Sequence, residues 1–278
     1  MSAGNMTIRE ALYEAPGPRA RRRIAVVTGL SVVALLALLA VIVRQFYVTG
    51  QLSPRYWSFF TRWTTWRFLG QGLLGTLQVA AMSMLLAFTM GFLMMRGKLS
   101  NNKLLRGLCA TLVEFSRGVP TLLFIYFFFL VVPQLGIKLA AFWKVSIPVA
   151  LSAAGVSAET LRSGVNAVPK GQREAAMSLG MRERRMFYKI IFPQAFRFMI
   201  PSLIAELVIV LKDTTFAYVV NYPDLMQNAK VLISNYDAML SVYLVAAVIY
   251  IIINYLLNRL SVYLTGRSRT GKGAAARV

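Results

Sequence analysis

An all-α fold that crosses a membrane about six times is what this sequence predicts, and three observations carry the prediction. Apolar residues make up 57% and charged residues 15% of the 278, against roughly 45–50% and about 25% in water-soluble domains. So much apolar surface, with a mean hydropathy of +0.59, requires lipid as solvent. The apolar residues fall into six runs of spanning length, and Lys and Arg gather at the ends of those runs. The net charge of +21 therefore forms no continuous basic stripe, which excludes nucleic acid as a partner. A single cysteine, Cys109, and the absence of histidine exclude an intramolecular disulfide, multi-cysteine metal sites, His catalysis and His-ligated metal or haem.

The first run, Ile24 to Val43, is long enough to cross roughly 30 Å of hydrocarbon at about 1.5 Å per residue, and the first span is placed at 24–46. Arg19, Arg21, Arg22 and Arg23 stand before it, a basic flank that holds residues 1–23 in the cytoplasm. A cleaved signal peptide is the competing reading. The run is long for one, and no small-x-small cleavage site follows it. Five more spans are expected at about 71–95, 107–132, 139–163, 199–220 and 238–258. Threading them alternately puts Arg96, Lys98, Lys103 and Arg106 inside, along with the basic 164–198 loop and the 267–278 tail. This satisfies the positive-inside rule with both termini cytoplasmic. The external stretch Tyr56 to Trp66 is rich in Trp and Phe and reads as an anchor at the membrane surface.

The longest basic loop contains Glu174-Ala-Ala-Met-Ser-Leu-Gly180, continuing to Ile190-Ile-Phe-Pro193. Pro169 suits the first turn of a short helix over 170–180, where its missing N–H costs nothing. Gly180 suits a left-handed stop, and Glu174 lies near the positive end of the helix dipole. Ala175 and Ala176 keep one side small enough for another protein to approach the backbone. The arginine-rich 182–189 segment then runs to Pro193, which is expected to break the path before the fifth span. An ordinary basic loop lying on anionic headgroups is the bland alternative.

That spacing resembles the EAA signature of ABC importer permeases, with Glu174, Ala175, Ala176, Gly180, Ile190 and Pro193 in register and Phe192 where the family usually has Leu. The resemblance runs from about Gly70 to Gly266, so a permease domain is assigned to 70–266. Arg117-Gly-Val-Pro120, Ala158-Glu159-Thr-Leu-Arg162, Val168-Pro-Lys-Gly171 and Leu211-Lys-Asp-Thr214 are similar to the polar amino-acid branch. The opening Leu12 to Arg19 is most like glutamate permeases. The resemblance implies a type I ABC importer transmembrane fold in a bacterial cell membrane, with Lys170, Gly171, Glu174, Ala175, Ala176 and Gly180 coupling to an ATPase. It further implies a second permease subunit (a related but different chain), a dimer of cytoplasmic ABC ATPases and an extracellular substrate-binding protein. No Gly-x-x-x-x-Gly-Lys-[Ser/Thr] occurs here, so ATP and Mg are expected on the partner ATPase and no cofactor on this chain.

Ionisable residues inside spans need a partner or a wet cavity, since each costs at least about 2.5–3.5 kcal/mol. Arg117 lies about 16 Å along a helix from Arg106, beside Gly118 and Pro120, which would break the helix there. Glu206 and Asp213 fall about 20° apart on one helical face, with Lys212 beside them. One reading is ion pairs that fix packing, with Arg117 bridging to Asp213. The other is a cavity for a zwitterion. Arg117 would grip the α-carboxylate, Glu206 or Asp213 the ammonium, and Lys212 would read the side chain; the resemblance also places the Arg and the Lys-Asp pair at the substrate site. Glu159 and Arg162, three apart, read as a packing pair. An aromatic that the family often shows three positions before this Glu is replaced by Val156.

The function expected is a permease subunit of an ATP-driven importer of polar amino acids, glutamate favoured, with glutamine or basic amino acids as alternatives. The rival class is an ion-gradient-driven secondary transporter using Asp213 and Glu206. It would carry internal repeats, which are not visible, and would leave residues 174–193 unexplained. An intramembrane enzyme lacks a paired nucleophile and base.

Overall fold

A computed structural model describes residues 17–270, with side chains as far as Leu264. The expectations for the opening up to Pro16 and for the tail beyond Thr270 lie outside the described residues. The chain divides into two units, Met1–Trp57 and Ser58–Val278.

In the first unit, Gly17 precedes helix α1, Pro18–Val48, with Pro18 in its first turn, where a missing N–H is harmless. None of its residues is buried. Leu, Val and Ala face outward on every side, as a helix solvated by lipid all round requires. The helix ends at Thr49, and Gly50 turns the chain at φ +70°.

The second unit holds the remaining spans. Helix α2, Trp63–Lys98, packs along α5, Ala141–Asn166. Small residues let the two backbones approach: a Cβ at Gly91 would lie 2.6 Å from the Ser157 Cβ. Between α2 and α5 the chain forms α3, Lys103–Gly118, then α4, Thr121–Tyr126, which continues through a π turn and a 3₁₀ turn to Leu135. The span expected at about 107–132 is thus a pair of helices bent by 97°, broken at Gly118 and Pro120 as those residues predict. Val119 is extended, at φ −92° and ψ 125°, the conformation that a following proline favours. With this pair taken as one span, the described residues hold six helices long and apolar enough to cross a membrane, and five without it.

After α5 come α6, Lys170–Ser178, and α7, Glu183–Met186. A π turn over Phe187–Ile191 leads into α8, Phe192–Asp213, and a 3₁₀ turn to Val220 closes the run. The break expected at Pro193 is absent, and Glu183–Val220 is one helical path. The wide turn just before it relieves the clash that a proline ring makes with the carbonyl four residues back. Helices α9, Leu225–Tyr236, and α10, Met239–Thr270, complete the described residues. Two apolar clusters hold the bundle. One gathers Val79, Val149, Val210 and Tyr222 around the first half of α5; the other gathers Met95, Leu161, Ala176 and Met199 around its second half.

The aromatic stretch splits by role. Phe59 is buried and stacks on Tyr236 with ring centroids 4.3 Å apart, whereas Trp63 is 77% exposed and suits an interfacial position. Asp224 caps α9, its Oδ1 accepting from the Gln227 N–H at 2.7 Å. It is fully buried, and burial pushes its carboxyl from 3.8 to about 6. The folded state thus binds this proton more tightly than the unfolded chain. The stabilisation is complete below pH of about 4 and is lost as pH rises through about 6, by about 3 kcal/mol at most. Thermal unfolding of the purified protein at intervals between pH of about 4 and 7 should show the melting temperature falling across that window. Asp224→Asn, which keeps the cap without the charge, should flatten the dependence.

Candidate functional site

Helix α6 lies between spans in the chain, joined to α5 by Ala167–Pro169. Pro169 is its N-cap, so the proline sits just outside the first turn. The helix ends in a pair of hydrogen bonds: Gly180 N–H donates to the Met177 carbonyl at 2.9 Å and Met181 N–H to the Ala176 carbonyl at 3.1 Å. Gly180 adopts φ +69°, the left-handed residue that this capping pattern needs. Met181 then packs into the apolar cluster that also contains Ala176, which fixes the helix to the bundle.

Lys170, Gly171, Glu174, Ala175 and Gly180 are exposed on α6 and its cap. Ala176 is not; it is 4% exposed, and its small size serves packing within the chain rather than the approach of another surface. Beside the cap lies a cleft of about 650 Å³ lined by Leu179, Arg182, Arg184, Arg185, Tyr188 and Lys189.

Within the spans, the four residues singled out in the sequence do not form one constellation. Glu206, 3% exposed, accepts a 2.6 Å hydrogen bond from Ser157 on α5 and lies inside the chain's own packing. Asp213 accepts from the Thr121 hydroxyl at 2.8 Å. Because that proton is committed, Ser152 on α5 donates in the 2.8 Å Thr121–Ser152 contact. Both acids thus point to the α4–α5 side of α8, as their spacing requires. Lys212 points away and is exposed. Arg117 does not bridge to Asp213; the carboxylate within ion-pair distance is that of Glu114, at 3.7 Å and itself 70% exposed.

Arg117 instead lines a cavity of about 410 Å³ with Glu159, Thr160, Ser163, Phe198 and Ser202. Glu159 pairs with Arg162 at 2.8 Å, as the three-residue spacing indicates, and also with Lys98 at 2.5 Å. Lys98 was not legible as a partner, because a contact 61 residues away leaves no local periodicity. The two cations hold the Glu159 carboxylate, so Arg117 is the cavity's cation with donors to spare. A planar guanidinium in such a place can take a carboxylate by two parallel hydrogen bonds.

The chain has relatives among known proteins. The family of binding-protein-dependent transport system inner membrane components matches residues 83–270. The glutamate transport system permease protein GluD of Corynebacterium glutamicum is 34% identical over 80% of this chain and 83% of its own length. The probable glutamine ABC transporter permease protein GlnP of Bacillus subtilis is 34% identical over 69% and 89%. The crystal structure of an amino acid ABC transporter with histidines superposes with a TM-score of 0.70 at 26% identity, covering 75% of this chain and 98% of that one.

The cap geometry separates Gly180 of the cap from Glu174 of α6 by their effect on folding. Gly180→Val, forced into the left-handed region, should lose about 1–2 kcal/mol, seen as a lower melting temperature of the purified protein. Glu174→Lys, on an exposed face, should change stability by less than about 0.5 kcal/mol.

Proposed function

We propose, for a chain that belongs to the family of binding-protein-dependent transport system inner membrane components, the role of transmembrane permease subunit in an ATP-driven importer of polar amino acids, with glutamate as the favoured substrate. The observation that carries the reading is α6: a short helix outside the spans, packed on the bundle through Ala176 and Met181, with Lys170, Gly171, Glu174 and Ala175 turned outward. Each of two ABC ATPases, binding ATP and Mg, would seat such a helix in a groove. Closure of the ATPase dimer would then draw the two permeases' helices together and swing the attached spans. In this arrangement the chain sits in a bacterial plasma membrane with both termini cytoplasmic, α6 on the cytoplasmic side and α9 outside. A second permease, related but different, completes the pathway, and an extracellular binding protein delivers the substrate. This chain forms and breaks no covalent bond.

The likeness to glutamate and glutamine permeases supports an amino acid bearing an acid or amide side chain. The cavity beside Arg117 supports a grip on the α-carboxylate. Asp213, bonded to Thr121, offers a carboxylate for the α-ammonium once the helices part, and exposed Lys212 a cation for an acidic side chain. Glu206, buried against Ser157, becomes available only in another conformation.

Uptake by the reconstituted importer across glutamate, glutamine, arginine and histidine tests the substrate class, and glutamate is expected to compete best. Glu174→Lys should insert normally, yet copurify with less ATPase and lose most uptake; normal values of both would remove α6 from the coupling role. Arg117→Lys keeps the charge and loses the fork, so uptake should fall at least about tenfold if a carboxylate is gripped in two bonds (about 1.4 kcal/mol). Lys212→Met should depress glutamate uptake more than glutamine uptake, and equal losses in well-folded protein would exclude it as the side-chain reader.

A further inference from the structure

Ser116, immediately before Arg117, is 4% exposed and turned into α5. Its hydroxyl donates to the Leu151 carbonyl and accepts from the Gly155 N–H at 3.0 Å. Those are the two groups, four residues apart, that an undisturbed α-helix joins to each other. The Ser116 hydroxyl therefore bridges a rung of the α5 backbone ladder, an arrangement that brings α3 hard against α5. It requires glycine at 155. A Cβ there would stand 2.7 Å from Arg117 Cγ, 2.7 Å from the Val113 carbonyl oxygen and 3.1 Å from Ser116 Cβ. The Arg117 stem thus lies across the bare backbone of Gly155 on its way into the cavity.

No strong charge contact does this positioning. Glu114 is 3.7 Å from the guanidinium and largely exposed, a pair of the kind that contributes little. On its other side Arg117 meets Gly118 and the 97° bend, so the Ser116 contact is the last fixed point before the chain turns.

We propose that Ser116 and Gly155 are positioning residues for Arg117: their contact sets where the guanidinium stands and thereby how well the pathway holds a substrate carboxylate. This rests on Arg117 as the carboxylate grip. A methyl group at 155 must push the Arg117 stem and α3 outward together, whereas loss of the Ser116 hydroxyl frees α3 without blocking it. Gly155→Ala is therefore the severe variant and Ser116→Ala the mild one.

The test is a double-mutant cycle on glutamate uptake, in proteoliposomes containing the complete importer and saturating binding protein. Per folded complex, Gly155→Ala should lower uptake about tenfold and Ser116→Ala about threefold, with wild-type ATPase copurification. In an Arg117→Ala background, which lacks the Cγ that a Cβ at 155 would strike, Gly155→Ala should cost less than about twofold more. Equal proportional losses in both backgrounds would overturn the positioning role and leave the carboxylate grip standing. Wild-type uptake by Arg117→Ala, or no glutamate uptake by the wild type, would overturn the grip and the positioning together. A lowered melting temperature in Gly155→Ala, with full uptake per folded complex, would also overturn the proposal, by reducing Gly155 to a packing residue.

Discussion

A peptide group in hydrocarbon has no water to bond, and this requirement shapes the bends within the spans. Where the helices run undisturbed the ladder satisfies itself. Where they break or bend, a side chain stands close by. The 97° bend at Gly118–Pro120 is flanked by Ser116, bonded into the α5 backbone, and by Thr121, bonded to Asp213 and Ser152. Near Pro148, which interrupts the α5 ladder, Ser83 of α2 donates to the Ser146 carbonyl at 3.1 Å. The hydroxyls thus do in lipid what water does at the surface of a soluble protein. Because each is tied to one partner, the bends they support have defined positions.

The same scarcity of water disposes the charges. Glu159 sits between Lys98 of α2 and Arg162 of its own helix, a cluster that ties the end of α2 to the second half of α5. Three charges held together cost less to bury than three apart. Arg117 has no such enclosure. Its side chain is 46% exposed, at the edge of a cavity, and that incompleteness distinguishes a group available to a ligand from one consumed by packing.

Features of the fold set by local chemistry could be read from the sequence. Apolar run length located the spans, the glycine at 180 located the left-handed cap, and Gly118 with Pro120 located the bend. The Glu159–Arg162 pair followed from helical spacing. What could not be read depends on contacts between distant segments. Lys98 meets Glu159 across 61 residues, and Ser116 meets Gly155 across 39; neither leaves a periodic trace. Ala176 was legible as small but not as buried, since smallness suits a partner's approach and internal packing equally. Pro193 misled for a related reason: a proline breaks an α-helix, but a π turn just before it absorbs the strain, and that turn has no sequence signature of its own. Glu206 and Asp213 were correctly placed on one face, yet the face turned out to be covered by α5 and α4.

Helix α5 joins the two halves of this arrangement. It carries Gly155 beneath the Arg117 stem, Glu159, Thr160 and Ser163 along the cavity, and its last residue, Asn166, lies only three residues before Pro169, the cap of α6. From Gly155 to Asn166 is about 16 Å of continuous helix, and Ala167–Pro169 alone connect it to α6. Under the coupling proposed above, a force on α6 would reach the cavity through α5 and shift the cavity's polar wall against α8. Because α3 is pinned to α5 at Ser116, Arg117 must travel with that wall or the pin must open. The contact that sets the arginine's position at rest is thus also the one through which displacement of α6 would alter it.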